Sequence, residues 1–380
     1  MAIIKVITGP SRRQTGVGRN HLPILGDIES TYRMQKVLYK LLGALLLTAS
    51  IVSGWIAVEH HALSKRPLHI VDGAVTYVVT PGMTLTDIVS QLASQGILRR
   101  PRVLLWYARL QGKATQIKAG EYRIEAGTTP LGLLDLFVSG TVVQHALTLI
   151  EGWTFEQVLA AVRVHPHLRQ TLTDLEPEAL MDALGLAGLH PEGWFYPETY
   201  YFPGGLSDRD FLRRAHRTMR QRLQSEWTGR ASGLPYRKPY EALILASIIE
   251  KETGRHGERR RIAGVFVQRL NRGMRLESDP TVIYGLGGVF DGNLRRRDLT
   301  KVTPYNTYRR SGLPPTPIAM PGGDAIWAAL HPEFGEALFF VARGDGSHHF
   351  SATYQEHRRA VARYQLLRHQ DDNGPRPTDD

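Results

Sequence analysis

The chain has 380 residues, no cysteine and a formal net charge of +11. This length allows two domains and a sizeable hydrophobic core that needs no disulfide or metal for stability. The lack of cysteine excludes a disulfide scaffold, a thiolate zinc site and a cysteine nucleophile. Arginines are spread along the whole chain, and no nucleic-acid-binding motif accompanies them. We therefore expect no nucleic-acid partner, no metal site and no cofactor.

An uncharged apolar segment covers residues 41–58. As a helix it would be roughly 27 Å long, close to the thickness of the bilayer hydrocarbon core. The preceding residues contain seven Lys or Arg against two acidic residues. The positive-inside rule then places the N-terminus in the cytoplasm. We predict a flexible cytoplasmic tail at 1–36 and a single transmembrane helix at 37–58. A cleaved signal peptide and a buried core helix are the alternatives.

A short pattern recurs three times after this segment, at residues 77–84, 122–129 and 147–154. Each copy has a strand-like run, a glycine turn and a threonine, and an apolar helical run follows. Glycine allows positive φ at the turn, and the threonine hydroxyl can cap the next helix. Over residues 68–140 the predicted order is strand–helix–helix–strand, which resembles the LysM domain. That resemblance implies binding to N-acetylglucosamine-containing glycans, whereas a module that only packs is the alternative.

Glu250 ends an apolar run at residues 243–249 that is interrupted only by Ser247. A helix that is apolar on every side is buried all round. Glu250 would lie above Ala246 and Ser247 on this helix, where loss of hydration raises the pKa of a carboxyl group. A raised pKa is what a general acid needs near neutral pH. The alternative is a surface or capping carboxylate, because structural ion pairs also perturb carboxylates.

Two further features of the sequence bear on the catalytic interpretation of Glu250. Glu252 faces nearly the opposite side of the helix from Glu250, so the two do not form a catalytic pair. We expect Glu252 to bond within the fold or to one of the following arginines. The aromatic cluster at residues 193–203 suits either a glycan-binding groove or an ordinary inter-domain core.

Several longer motifs follow one another in a fixed order. They occupy residues 245–253, 265–270, 273–285, 304–308, 312–315, 318–322, 331–332, 339–342, 349–351 and 356–357. In this order they resemble the YceG-like (MltG) family of endolytic murein transglycosylases, over most of residues 40–365. The resemblance implies a bacterial inner-membrane protein with its C-terminal domain in the periplasm, acting on peptidoglycan glycan strands. It also makes glycan polymerases, such as penicillin-binding proteins, the expected protein partners.

In that family the glutamate matching Glu250 is the catalytic residue. The resemblance implies that it first protonates the glycosidic oxygen between N-acetylmuramic acid and N-acetylglucosamine. It then takes the proton of the muramic acid C6 hydroxyl, which attacks C1 and closes a 1,6-anhydro ring. Two carboxylates are therefore not required. Matched positions with polar or stacking side chains are candidates for substrate contact: Tyr284, Asn306, Tyr308 and His349.

The predicted architecture is α+β: a single N-terminal transmembrane helix, a LysM-like module at 68–140 and an α+β catalytic domain at 141–365. A flexible tail is expected at 366–380. The predicted function is endolytic cleavage of nascent glycan strands, which would terminate strand elongation. One rival is a non-catalytic, membrane-anchored peptidoglycan-binding scaffold. The other is a soluble lyase of a cytosolic metabolite, which the apolar segment and the lack of a Gly-rich phosphate motif disfavour.

Overall fold

A computed structural model describes residues 25–71 and 73–366. Nearly all of the predicted tail at 366–380 and most of the predicted tail at 1–36 lie outside these residues. The chain divides into two compact units. The described residues within Met1–Val75, Met83–Ile117 and Ile124–Ser139 form unit 1, and those within Thr76–Gly82, Lys118–Arg123 and Gly140–Asp380 form unit 2. Helices and strands are mixed within the described residues, as the α+β prediction requires.

The first helix, α1, runs over Leu25–Lys65. It begins before and ends after the predicted segment 37–58, and it includes residues that were assigned to the cytoplasmic tail. Its portion Tyr32–Lys65 is long and apolar enough to cross a membrane. Large apolar side chains such as Leu45 and Ile51 are exposed along it. Such a surface is compatible with a single-pass anchor.

Three helices and two strands follow in the order that the sequence predicted. They are β1 (Ala74–Val79), α2 (Leu85–Ser94), α3 (Pro101–Leu110), β2 (Gly120–Glu125) and α4 (Pro130–Ser139). The strands β1 and β2 pair in a two-stranded sheet. Within unit 1, α2 packs against α3, and α4 contacts both α1 and α3. Fully buried leucines such as Leu92 and Leu133 fill the space between these helices.

The three predicted glycine–threonine turns are confirmed as helix starts. The Oγ1 atom of Thr84 accepts a hydrogen bond from the Asp87 amide, and Thr129 accepts one from Gly132. Thr154 caps the next helix in the same way. Each threonine therefore satisfies an amide that the first helical turn leaves without a partner.

The first half of unit 2 is built on an antiparallel pair of strands, β3 (Gln144–Thr148) and β4 (Thr199–Pro203). Three helices complete it: α5 (Phe155–Val164), α6 (Pro177–Ala183) and α7 (Asp208–Thr228). Phe195, Tyr200 and Phe202 of the predicted aromatic cluster are at most 1% exposed and pack in this core. The core interpretation of these three residues is therefore confirmed.

The second half of unit 2 centres on α8 (Pro239–Glu252), whose residues 242–249 are all buried. This confirms the predicted helix that is buried all round. The helix α12 (Gly323–Leu330) packs against α8 and α9 (Arg259–Asn271). The remaining elements are α10 (Asp279–Leu286), α11 (Arg296–Thr300), β5 (Phe339–Ala342), β6 (His348–Ser351) and α13 (Tyr354–Val361), with short helical turns at His256–Glu258, Gly287–Val289 and Ala362–Leu366.

Candidate active site

The buried helix α8 is fixed to the segment that precedes α12. The Oγ atom of Ser247 donates to the carbonyl of Ile244 at 2.7 Å and accepts the amide of Ile318 at 2.9 Å. Ser247, the polar residue that interrupts the predicted apolar run, is thus buried, and its hydroxyl both donates and accepts a hydrogen bond. This contact holds residues 318–322 alongside the C-terminal half of α8, next to Glu250.

The carboxylate of Glu250 receives one donor on each oxygen. Its side chain is 5% exposed, and Oε1 accepts a hydrogen bond from Nη2 of Arg259 at 2.8 Å. Oε2 accepts one from the backbone amide of Gly322 at 2.9 Å. Gly322 is the residue immediately before α12, so the carboxylate also lies at the N-terminus of that helix. Both contacts stabilise negative charge.

Burial nevertheless raises the pKa of Glu250 above its ordinary value. Desolvation is the largest cause, and the Gly322 amide and Arg259 oppose it. Two further carboxylates, Glu151 and Asp324, also raise the pKa of Glu250. The arrangement can therefore hold a proton on Glu250 and also stabilise the carboxylate after the proton has left, as an acid that later becomes a base requires.

Arg259 is shared among three carboxylates. Its side chain is 4% exposed, and its guanidinium lies 3.4 Å from Asp324 and 3.7 Å from Glu151. His256 adds a 2.6 Å contact to Asp324. The positive charge of Arg259 is thus divided between the buried Glu250 and two partly exposed carboxylates.

The third glycine–threonine turn lies beside α8. Gly152 has a φ of +78°, its amide donates to Met320 at 2.8 Å, and its carbonyl accepts a hydrogen bond from Lys251 at 3.2 Å. The side chain of Glu151 covers Gly322: a Cβ atom at that glycine would lie 1.9 Å from Glu151 Oε1. Only glycine leaves Glu151 in this position without displacing it.

Glu252 occupies separate surroundings. It accepts a hydrogen bond from the Ser278 hydroxyl, and desolvation raises its pKa to about 7. It lines a cavity of about 370 Å³ together with Arg269, Asp279 and Tyr308. The expectation that Glu252 bonds within the fold is confirmed.

Two of the four candidate substrate residues are engaged with buried groups. Tyr284 donates its hydroxyl to Glu192 Oε2 at 3.0 Å, and its ring lies 4.9 Å from that of Tyr305. Asn306 is fully buried. Its amide nitrogen donates to the Lys301 carbonyl at 2.6 Å, and its oxygen accepts the Tyr308 amide at 2.9 Å. In this arrangement Asn306 orders its own loop.

The other two candidates lie elsewhere. The Tyr308 hydroxyl donates to Asp279 at 2.7 Å, on the side of α8 that carries Glu252. His349 is on β6, and its ring lies 5.6 Å from that of Tyr364. Among the described residues, none of the four candidates shares a hydrogen bond with Glu250. Their contact with substrate stays a prediction.

Sequence reasoning missed the residues that surround Glu250, namely Glu151, Arg259 and Gly322. The Arg259 position was visible only as one of three consecutive arginines. It also missed Glu192, which is 3% exposed, accepts the Phe155 amide at 3.0 Å and has its pKa raised to about 7 by burial. A lone carboxylate at the start of the aromatic cluster was the available signal for Glu192.

Comparison with known proteins shows the family to which the chain belongs. The YceG-like family model matches residues 77–363. An endolytic murein transglycosylase of Bacillus subtilis (strain 168) is 30% identical over 305 residues, covering 75% of this chain and 83% of the relative. One from Streptococcus pneumoniae (strain D39) is 26% identical over 324 residues, covering 76% of this chain and 58% of the relative. A crystal structure of a YceG-like protein from Listeria monocytogenes is 29% identical, with a TM-score of 0.49, and covers 76% of this chain and 99% of that one. Because the family model matches most of this chain, the chain belongs to the YceG-like family.

Proposed function

We propose that the chain is a membrane-anchored, endolytic lytic transglycosylase that cuts nascent peptidoglycan strands and leaves 1,6-anhydro-N-acetylmuramic acid ends. Such cuts would terminate strand elongation. Membership of the family supports the reaction class. The observation that carries the proposal is the buried Glu250, whose pKa is raised although Arg259 and the Gly322 amide contact its two oxygens.

In the first step, protonated Glu250 gives its proton to the oxygen of the glycosidic bond between N-acetylmuramic acid and N-acetylglucosamine. The C1–O bond breaks, its electron pair stays on the leaving oxygen, and positive charge develops at C1. Glu250 is left as a carboxylate, which Arg259 and the Gly322 amide stabilise through the hydrogen bonds already in place. These donors do not have to reorganise during the reaction.

In the second step, the Glu250 carboxylate takes the proton of the C6 hydroxyl of the same muramic acid. The C6 oxygen then bonds to C1 and closes the anhydro ring. One C–O bond has broken and one has formed, the proton is back on Glu250, and no water is consumed. A single acid/base residue is therefore enough, in contrast to the two carboxylates of ordinary glycosidases.

We also propose the membrane location, the glycan-binding module and the protein partners that the sequence predicted. The apolar helix α1 would anchor the enzyme in the inner membrane, with the residues after it in the periplasm. Residues 68–140 would bind glycan as a LysM-like module, and glycan polymerases would be partners near the membrane. A pull-down of this segment with purified sacculi tests the module, with its folding checked by circular dichroism. Folded protein that washes off would leave it a structural role only.

The product identifies the reaction. Purified full-length protein in detergent should be incubated with sacculi, and the glycan ends should be analysed by mass spectrometry. We expect shortened strands that carry 1,6-anhydro ends. New reducing ends would instead mean a hydrolase that uses water. Unchanged strands with protein bound would favour the non-catalytic scaffold.

A further inference from the structure

Three side chains of the kinds that bind metal ions converge in unit 2, away from α8. Glu121 is on β2, His145 is on β3, and His167 follows α5 in the chain. Each offers one ligand atom, and these atoms all lie within 4.8 Å of one another. The three residues come from separate parts of the chain, so their convergence is a product of the fold.

The group is closely packed. Nε2 of His145 lies 2.9 Å from Oε2 of Glu121. The rings of His145 and His167 are stacked with centroids 3.5 Å apart and an interplanar angle of 11°. Gly204 lies against them: a Cβ atom there would be 3.1 Å from Oε2 of Glu121 and 3.4 Å from Nε2 of His145. The backbone after β4 therefore approaches the group closely because residue 204 has no side chain.

The side chains of the group are of the types that bind a divalent transition cation. Neutral imidazole is the form that binds metal. Two histidine nitrogens and one carboxylate oxygen, with water as a fourth ligand, form a common zinc coordination set.

Binding requires a small adjustment of one ring. A tetrahedral ion with Zn–N bonds of about 2.0–2.1 Å needs both imidazole nitrogens to point to one centre. Parallel rings do not do this. His167 is exposed, so its ring can turn about its side-chain torsions, whereas its backbone stays fixed by the hydrogen bond from the Gly205 amide to the His167 carbonyl at 2.9 Å. A cavity of about 820 Å³, lined in part by Glu121, His167 and Gly204, gives an ion access.

We propose that Glu121, His145 and His167 form a binding site for a divalent transition cation of the Zn²⁺ class. The ion would tie together β2, β3 and the segment after α5, and so brace this part of unit 2. This inference departs from the sequence-based expectation of no metal site. It is independent of the reaction at Glu250, because none of its ligands belongs to that group.

The test uses the metal-stripped full-length chain in detergent and Zn²⁺ as the probe. Isothermal titration should give one Zn²⁺ per chain, and a hundredfold excess over Kd should raise Tm by about 3–5 °C. His167→Ala should weaken binding by about 100-fold and abolish most of the Tm increase. Mg²⁺ should not compete, because it prefers oxygen ligands.

His69→Ala is the matched control, since His69 is likewise an exposed histidine and is not in the ligand group. Its affinity for Zn²⁺ should match that of the unmodified chain. His167 is exposed, so its replacement should leave the fold intact, which circular dichroism would check. Absence of stoichiometric Zn²⁺ binding, or equal affinity in His167→Ala, would overturn the site and leave a stacked His–Glu ion pair.

Discussion

Arg259 places its Nη2 atom 2.8 Å from Glu250 Oε1, while the same guanidinium lies 3.7 Å from Glu151. A buried glutamate that alone faced an arginine would remain ionised and could not act as an acid. Sharing Arg259 with Glu151 and Asp324 weakens that effect, and both carboxylates also raise the pKa of Glu250 directly. The neighbours of Arg259 therefore adjust the protonation of Glu250.

Replacing Glu151 by Gln should move the pH dependence of cleavage. Loss of the Glu151 charge lowers the pKa of Glu250, because that charge is one of the causes that raise it. The first step needs protonated Glu250, so activity should begin to fall at a lower pH in Glu151→Gln than in the unmodified enzyme. The rate of anhydro-end formation across pH measures this.

Glu156→Gln is the control for that shift. Glu156 is exposed in the first turn of α5, close to Glu151 in the chain, and makes no hydrogen bond or ion pair with Glu250 or Arg259. Its profile should overlay that of the unmodified enzyme. An unchanged high-pH limb in Glu151→Gln would show that Glu151 does not set the pKa of Glu250.

Glu192 should make the protein less stable as the pH rises. Its pKa is raised to about 7 in the folded state, from an ordinary value of 4.5. The folded state therefore binds the proton more tightly, and the associated stability is complete below pH 4.5 and lost as the pH rises through 7. The loss is of the order of 3 kcal/mol. Glu192→Gln should make the fall of Tm between pH 4.5 and 7 less steep, and the remaining fall comes from groups such as Glu252, whose pKa burial also raises to about 7.

The exposed Glu198 provides the comparison, because Glu198→Gln should keep the full pH dependence. If Glu192→Gln and the unmodified chain lost stability in parallel over this range, Glu192 would have an ordinary pKa in the folded protein. Thermal melts at closely spaced pH values give the slopes directly.

Gly264 should be intolerant of even a methyl group. Alanine is the better helix former by about 1 kcal/mol, and Gly264 lies inside α9. A Cβ atom there would lie 2.1 Å from the backbone carbonyl oxygen of Glu333. Because the obstacle is backbone, Gly264→Ala should destabilise the protein by about 1–3 kcal/mol.

Gly132 in α4 is the matched helical glycine. A Cβ atom there would have its nearest contact at 3.4 Å, the hydroxyl of Thr129. Gly132→Ala should therefore be neutral or slightly stabilising in a denaturant melt. Equal stability of the two alanine variants would contradict the close approach of α9 to the Glu333 backbone.

The basic residues before the apolar stretch of α1 predict its orientation in the membrane. A reporter that is active only outside the cytoplasm should work when fused after residue 70 and should be inactive when fused before residue 35. The opposite pattern would reverse the proposed topology. Activity in neither fusion would mean that residue 70 is not exported.

The local fold could be predicted where one short pattern has one physical solution. The threonines at 84, 129 and 154 cap helices as expected, since an exposed helix start needs such a partner wherever it lies. The buried character of α8 also followed from its sequence, because seven neighbouring residues leave only one polar side chain among them. These features depend on nearest neighbours along the chain.

The surroundings of Glu250 depend on the tertiary fold and could not be predicted in this way. Glu151 and Gly322 are distant from Glu250 in sequence, and only the packing of α12 on α8 brings Gly322 to its carboxylate. Asn306 is a second residue whose surroundings could not be predicted from the sequence. Its polarity suggested substrate contact, but its amide has bonds to loop carbonyls that no short sequence pattern indicated.

We propose that Glu250 alone supplies and removes the proton, and Glu250→Gln tests this role most directly. Glutamine keeps the shape of the side chain but cannot transfer a proton. Loss of one general acid/base typically costs about 10²–10⁴-fold, and here the same residue serves both steps. Glu252→Gln is the matched control, since Glu252 is on the same helix and burial also raises its pKa, but it bonds to Ser278.

The measurement is the release of 1,6-anhydro ends from sacculi by each variant, beside a thermal melt that confirms folding. We predict that Glu250→Gln loses at least about 10⁴-fold of the rate, while Glu252→Gln retains turnover near that of the unmodified enzyme. Near-normal turnover by folded Glu250→Gln would contradict the catalytic assignment.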